Sequence, residues 1–346
     1  MTGWRVAVVG YGEWGPNHVR IFAASPHAKV VAVVDSRRER LARAAEIVPG
    51  VPVFERVAEM LATVRPDVVV VATPTATHHA VVREALEAGA HVLCEKPLCT
   101  KVEEAEALVR LAAERGRRLT VGHVFLFNRG ILKLKEILDR RELGRLFYLF
   151  SRRTNLGPIR RDVNAVVDLA SHDVAIFNFL TGVLPVETSA VGRAFLQPGI
   201  EDVSFITLQY PHDILASIHV SWLDPKKVRE ITVVGEDRMA IWDDLSGLGP
   251  VMVFDKSVTR NREYADFGEF QLRAREGDVV VPLVPREEPM RLQVSEFLAS
   301  LDAGDPGRSD GRAGVDVVRV LAAINASIAS GGAPVRIEAP AAVLDA

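Results

Sequence analysis

The chain has 346 residues, more than one ordinary core takes up and enough for two domains. With 48% hydrophobic and 25% charged residues it reads as globular, which excludes a disordered or fibrous chain. A formal net charge of −3 gives no attraction for nucleic acid, and no apolar run nears the ~20 residues of a membrane span.

The opening "MTGWRVAVV" enters a strand at once, without the basic, apolar and cleavage segments of a secretory signal. Cys94 and Cys99 are the only cysteines and make neither a disulfide framework nor a metal knuckle, so no metal is expected. Buried, reduced thiols place the protein in the cytoplasm.

Through the first third, strand alternates with helix. "WRVAVVG", "AKVVAVVD", "DVVVVAT", "AHVLCE" and "RLTVGH" are the short β-branched runs of parallel strands buried on both faces. Between them "TKVEEAEALVRLAAERG" is the clearest helix, with Thr100 and Glu103 as a capping box and Gly116 as the stop. This alternation predicts an α/β fold, a Rossmann-type doubly wound parallel sheet over 1–122 that binds a dinucleotide.

After about residue 122 the rhythm changes. Helices near 128–141 and 163–181 flank a strand around 145–154. Longer alternating strands follow: "VETSAVGRAFL", "DVSFITLQY", "ILASIHVSW", "REITVVG", "MAIWDD" and "VMVFDK". They predict an α+β domain over 123–337 with a large, mostly antiparallel open sheet, used for substrate binding and oligomerisation. Helices near 287–302 and 312–330 close the chain, the last expected to pack back on the first domain. The stretch 256–286 is charged and irregular and receives no assignment.

"AVVGYGEWGPNHVR" carries Gly10, Gly12 and Gly15 in the spacing G-x-G-x-x-G, after a strand and opening a helix. The first-turn amides of such a helix point at whatever lies over the loop, and Pro16 suits that turn because its missing N–H has no partner there. "VVAVVDS" ends the second strand in Asp35, where a carboxylate takes both hydroxyls of an adenine ribose and repels a 2′-phosphate. NAD is the expected cofactor, with NADP admitted by Arg37 and Arg38. Glu13 and Trp14 in the loop, and Ser36 and Arg37 after Asp35, join the expected cofactor contacts.

Lys96, at the end of "HVLCEKPLCT", sits where ligands bind at the carboxyl ends of parallel strands, and Pro97 turns it away from helical geometry. In "VNAVVDLASHDVAIFNFLTG", Asn164, Asp168 and His172 fall at i, i+4 and i+8, a polar stripe on a helix otherwise fit for burial. The stripe reads as one wall of a polar pocket or as a satisfied structural network. Asp173 points a quarter-turn away and is the weaker candidate. Alcohol oxidation fits these residues: His172 as the base, Asp168 orienting it, Lys96 near the substrate oxygen.

The glycine loop with its later Asp35, then Glu95-Lys96-Pro97, then Asp168-x-x-x-His172, resembles the glucose–fructose oxidoreductase / inositol dehydrogenase (Gfo/Idh/MocA) family over essentially the whole chain. The resemblance implies sugar or cyclitol substrates and Lys96, Asp168 and His172 as the catalytic set. It also implies Thr73, Pro74, Thr75 and His78 of "TPTATHH", together with Glu95 and Lys96, as cofactor contacts. "GHVFLFNRG", "NLGPIRRDVNAVVDLASHD" and "SWLDPKKVREITVVG" are similar to the branch that oxidises UDP-linked N-acetylated amino sugars, although "RRDVNAVV" replaces the family's glycine-rich lead-in. A diphosphate calls for fixed cations, for which Arg160, Arg161, Lys226, Lys227 and Arg229 are available. Expected substrate contacts are Lys96, Asn128, Asn155, Arg160, Asn164, Asp168, His172 and Lys227.

The leading expectation is an NAD-dependent dehydrogenase of a ring hydroxyl on a UDP-linked N-acetyl amino sugar, 3-hydroxyl to 3-keto. A free sugar or inositol is the alternative within the same chemistry. A non-catalytic NAD-binding sensor or scaffold is the alternative of another class. An open sheet face calls for a cover, so a homo-dimer or homo-tetramer is expected.

Overall fold

The computed structural model describes residues 3–260 and 272–338, so part of the unassigned 256–286 stretch (261–271) lies outside the described residues. It divides into two compact units, one drawn from 3–127 and 288–322, the other from 128–287 and 323–338.

In the first unit the strands are β1 (Trp4–Val9), β2 (Ala28–Val34), β3 (Val53–Phe54), β4 (Val68–Val71), β5 (His91–Cys94) and β6 (Leu119–Val121). All pair in parallel, in the order β3-β2-β1-β4-β5-β6, so the direction of winding reverses between β1 and β4. Every residue of β4 is buried, as a strand covered on both faces requires. The two-residue β3 has too few residues to show a period, and it escaped the sequence reading.

The helices α1 (Gly15–Ala24), α2 (Arg38–Ile47), α3 (Val57–Val64), α4 (His78–Glu87) and α5 (Val102–Glu114) connect them. Gly116 follows α5 at φ +61, the left-handed stop its position predicts. The expected Thr100–Glu103 capping box is absent. Lys101 occupies the N-cap without a side-chain bond, and α5 starts on the charges of Glu103 and Glu104, which the positive end of the helix favours.

Two apolar layers sandwich this sheet. One unites Ala7, Val9, Val69, Val71, Leu86 and Leu108; the other unites Val8, Val19, Phe22 and Val70 with Met290, Val294 and Phe297 from later in the chain. The unpaired edge of β6 is covered by Ser309 and Asp310, Val121 N–H donating to the Ser309 carbonyl at 2.8 Å.

In the second unit α6 (Arg129–Asp139) precedes β7 (Leu146–Leu156), and α7 (Ser171–Thr181) follows a π turn over Val166–Ala170. The strands β8 (Glu187–Arg193), β9 (Val203–Tyr210), β10 (Ile214–Ser221), β11 (Leu223–Gly235), β12 (Met239–Asp243), β13 (Val251–Phe254), β14 (Ser257–Arg260), β15 (Leu272–Arg275) and β16 (Val279–Val280) follow. Next come α8 (Pro289–Ala303) and α9 (Gly311–Ala329), of which 288–322 count with the first unit, and β17 (Val335–Arg336). Nine strands form one sheet ordered β16-β13-β12-β11-β7-β10-β9-β8-β17, antiparallel except where β7 meets β10. Along β9, Ser204, Ile206, Leu208 and Tyr210 are buried while Phe205 and Gln209 are exposed, so one face is core and the other is open.

Candidate active site

The three loop glycines in the first unit do different things. Gly10 has φ +94, and a Cβ there would lie 2.4 Å from the Ala72 carbonyl oxygen; on Gly15 it would lie 2.1 Å from the Gly10 oxygen. Both are packed against main chain. A Cβ on Gly12 would meet only the Arg40 side chain, at 3.6 Å, so the loop's main chain is bare at this point, as a close approach of pyrophosphate demands. Pro16 stands in the first turn of α1, and Glu13 and Trp14 turn outward to solvent.

Asp35 follows β2 and is buried. One carboxylate oxygen accepts from Tyr11 N–H at 2.7 Å and the other from Arg37 N–H at 2.9 Å. Together with the Arg40 guanidinium these bonds leave about one of the carboxylate's lone-pair sites for a ribose hydroxyl. The Arg40 guanidinium is 3.3 Å from the same group, whereas Arg38 pairs with Glu55, and Ser36 and Arg37 lie exposed. Sequence reading looked to the arginines adjacent to Asp35 and missed Arg40; its signal was a place in the first turn of α2.

After β4, the Thr73 hydroxyl accepts from Thr77 at 2.8 Å, Pro74 is exposed and Thr75 is buried. His78, expected beside the cofactor, is 1% exposed, with both ring nitrogens against main-chain carbonyls. After β5, buried Glu95 bonds the His18 ring at 2.7 Å and accepts from Lys96 N–H at 3.3 Å. Burial pushes the Glu95 carboxyl up, but the His18 bond and the charges of His18 and Lys96 outweigh it and hold the group below its usual range. Lys96 is half-buried and precedes a cis peptide to Pro97.

His123 packs in the same region with neither ring nitrogen partnered. Burial first, then the charge of Lys96, lowers its pKa to about 4. His18 and His123 were not anticipated, because nothing local marks a partner as distant as Glu95 is from His18, or the burial of the His123 ring. Both thiols are buried, which pushes Cys94 well up and Cys99 to about 12. Among the described residues, no group of three or more His, Cys, Asp or Glu could hold a metal.

In the second unit the expected continuous helix from 163 is interrupted. The π turn puts an extra residue into the coil, so Asn164, Asp168 and His172 do not form the straight α stripe their spacing predicts. Asn164 caps the turn instead: its oxygen accepts from Val167 N–H at 3.0 Å, and its amide donates to Glu201 at 2.7 Å and Asn325 at 3.0 Å. Asp168 lies within the π turn. Arg160 donates to one of its oxygens and the Trp222 indole to the other, each at 3.2 Å. His172 is half-buried in the first turn of α7. Asp173 is fully buried and takes Arg153 at both oxygens, at 2.8 and 3.0 Å, and the Ser151 hydroxyl at 2.8 Å.

The remaining expected substrate contacts differ in how occupied they are. Arg160 is shared with Asp162, whose hydrogen bond holds the guanidinium above its ordinary pKa. Asn128 caps α6 through Gly130 and Ile131 N–H, donates to Asp244 at 2.9 Å and accepts from Trp242 at 3.2 Å. The Asn155 amide donates to the Gly157 carbonyl, and Arg229 pairs with Asp244. Arg161, Lys226 and Lys227 stand exposed.

Residues 4–123 match the model of an oxidoreductase family with an NAD-binding Rossmann fold, and 131–241 match that of the GFO/IDH/MocA C-terminal domain. The chain is 30% identical to UDP-N-acetylglucosamine 3-dehydrogenase of Acidithiobacillus ferrooxidans over 93% of its own length and 96% of that protein's. It is also 30% identical to inositol 2-dehydrogenase 2 of Saccharopolyspora erythraea, over 62% of this chain and 66% of that one. The crystal structure of GenD2 from gentamicin A biosynthesis, in complex with NAD, superposes with a TM-score of 0.82 at 25% identity, covering 98% of this chain and 97% of that one. The first unit is thus an NAD-binding Rossmann domain, and the chain belongs to the GFO/IDH/MocA family of oxidoreductases.

Proposed function

We propose that this oxidoreductase removes hydride from C3 of a UDP-linked N-acetylated amino sugar, with Lys96, Asp168 and His172 as its catalytic residues. The observation that carries the substrate class is the relation to UDP-N-acetylglucosamine 3-dehydrogenase along nearly the full length of both chains. The cofactor would be held by the bare main chain at Gly12, by the first turn of α1 and by Asp35, and when bound it supplies the hydride acceptor.

The protein's own residues manage the proton. His172 takes the hydroxyl proton, and Asp168, fixed by Arg160 and Trp222, holds the imidazole and stabilises its charge. Lys96 donates a hydrogen bond to the same substrate oxygen as negative charge gathers on it. The carbinol C–H and O–H bonds break, a ketone forms, and the imidazole is left protonated. Exposed Arg161, Lys226 and Lys227 are the cations offered to the diphosphate, since Arg160 and Arg229 already serve carboxylates.

A second reading, oxidation of inositol or a free sugar, is favoured by the inositol dehydrogenase relative and by that prior commitment of Arg160 and Arg229. Formation of reduced nicotinamide from UDP-N-acetylglucosamine, free N-acetylglucosamine and myo-inositol separates the two. Turnover of the UDP sugar at a KM at least about tenfold below that of the free sugar is expected, a modest 1.4 kcal/mol for the added charge contacts. Equal or better use of the free sugar or inositol would establish the second reading, and NAD+ binding without turnover of any of them would leave a sensor.

A further inference from the structure

His78 begins α4, yet neither of its ring bonds belongs to that helix. Nε2 lies 2.9 Å from the Thr73 carbonyl oxygen, and Nδ1 lies 2.9 Å from the carbonyl oxygen of Pro97, nineteen positions away. The residue is 1% exposed. Its neighbour His79 is half-buried, so the inward placement is specific to the one residue.

The two carbonyls belong to segments that matter. The Ala72–Thr73 peptide is the surface against which Gly10 packs, its atoms 2.4 to 2.9 Å from where a Cβ on Gly10 would stand. Pro97 is the residue bonded to Lys96. The route is therefore continuous: glycine loop, Thr73 turn, imidazole, Pro97, lysine. We propose that His78 is a positioning residue that fixes the Lys96 segment against the turn supporting the cofactor loop. This rests on the assignment of Lys96 as catalytic.

The chemistry of the ring sharpens the role. Carbonyl oxygens only accept, so each contact calls for an N–H, and a neutral imidazole has one. Burial draws the ring below its ordinary pKa, while the two carbonyls and the charge of Glu95 push back. A ring of this shape that sets a nitrogen against each of two carbonyls is served by no other residue type. Gln restores one donor, and Phe keeps the ring's bulk with none.

The test uses full-length His78→Phe and His78→Gln. In His78→Phe, kcat falls by about tenfold or more while the sugar KM and the NAD+ dissociation constant stay within about threefold, the pattern of a misplaced catalytic group rather than lost binding. His78→Gln recovers part of kcat. An unchanged kcat in His78→Phe, or losses of KM and NAD+ affinity in equal measure, would overturn the proposal. Amide exchange on adding NAD+ gives an arm independent of sugar turnover. The wild-type chain gains protection in both the glycine loop and 94–101; His78→Phe keeps the first and loses the second, and retention of both overturns the proposal. If the wild-type chain oxidises no sugar, the functional reading fails while this exchange arm still decides the role of His78. Should His78→Phe not fold, His78→Gln carries both arms: a partial loss confined to kcat is expected, and a full wild-type kcat or a loss confined to KM overturns the proposal.

Discussion

Gly12 and Gly15 are the same residue three positions apart, and the structure separates them. Gly12→Ala meets only a flexible arginine and should leave stability nearly unchanged while weakening NAD+ binding by about tenfold or more, since a methyl group stands where phosphate approaches. Gly15→Ala meets main chain and should destabilise the fold by about 1–3 kcal/mol or more. Thermal melts and NAD+ titration of the two variants check this, and full NAD+ affinity in Gly12→Ala would remove the cradle from the account. His123 gives a pH test. The native ring, at about 4, binds protons more weakly than the unfolded ring near 6.5. Its contribution is therefore whole above pH 6.5, is lost as pH falls toward 4, and amounts to about 3 kcal/mol at 1.36 kcal/mol per pKa unit. Urea midpoints measured at both ends of that window should fall less steeply with acid in His123→Gln than in wild type; parallel slopes would count against it. At this scale the sequence showed residue types that carry chemistry but not their partners. Asn128 and Asn164 look alike as polar candidates in the chain, and both prove to be caps, because a cap is defined by the backbone it meets.

Elements with a strong period were legible and those that break one were not. The valine runs of β2 and β4 and the alternation of β9 are set by burial on two faces or one, a property each residue carries in its own side chain. The π turn at Val166–Ala170 has no such mark: the apolar sequence is equally good for α geometry, and Glu201 and Asn325, which bond the Asn164 amide just before it, lie far along the chain. What pins the following helix is likewise distant. Arg153 on β7 grips Asp173 in the first turn of α7, next to His172, and both partners are buried. Arg153→Met would leave that buried carboxylate without its cation, the Ser151 hydroxyl still donating to it, and should cost about 3–5 kcal/mol. Denaturant unfolding checks it, and a change within experimental scatter would show that α7 is held by its apolar face alone.

The change from parallel to mostly antiparallel sheet was legible at the scale of the whole molecule, because run length and alternation both shift near residue 122. The chain's return, with 288–322 grouping with the first unit, was expected from the sequence of the last helix alone, since which sheet an amphipathic helix covers is decided by shape. The open face of the nine-stranded sheet exposes Val191, Phe205 and Leu215, with Phe205 stacked on His219 at 4.4 Å between ring centroids. A second copy of the chain is the proposed cover. Light scattering should find a dimer or tetramer that Phe205→Glu dissociates, and a wild-type monomer at micromolar concentration would contradict it. No helix among the described residues is long and apolar enough to cross a membrane.

The central claim is hydride transfer from C3 of a UDP-linked amino sugar under the control of Lys96 and His172. Its most direct measurement is mass spectrometry of the cofactor after NAD+ is incubated with UDP-N-acetylglucosamine deuterated at C3. The account predicts one deuterium in the reduced nicotinamide with wild-type protein and none with the Lys96→Met, His172→Ala double variant. Unlabelled reduced cofactor, or equal labelling by the double variant, would contradict it.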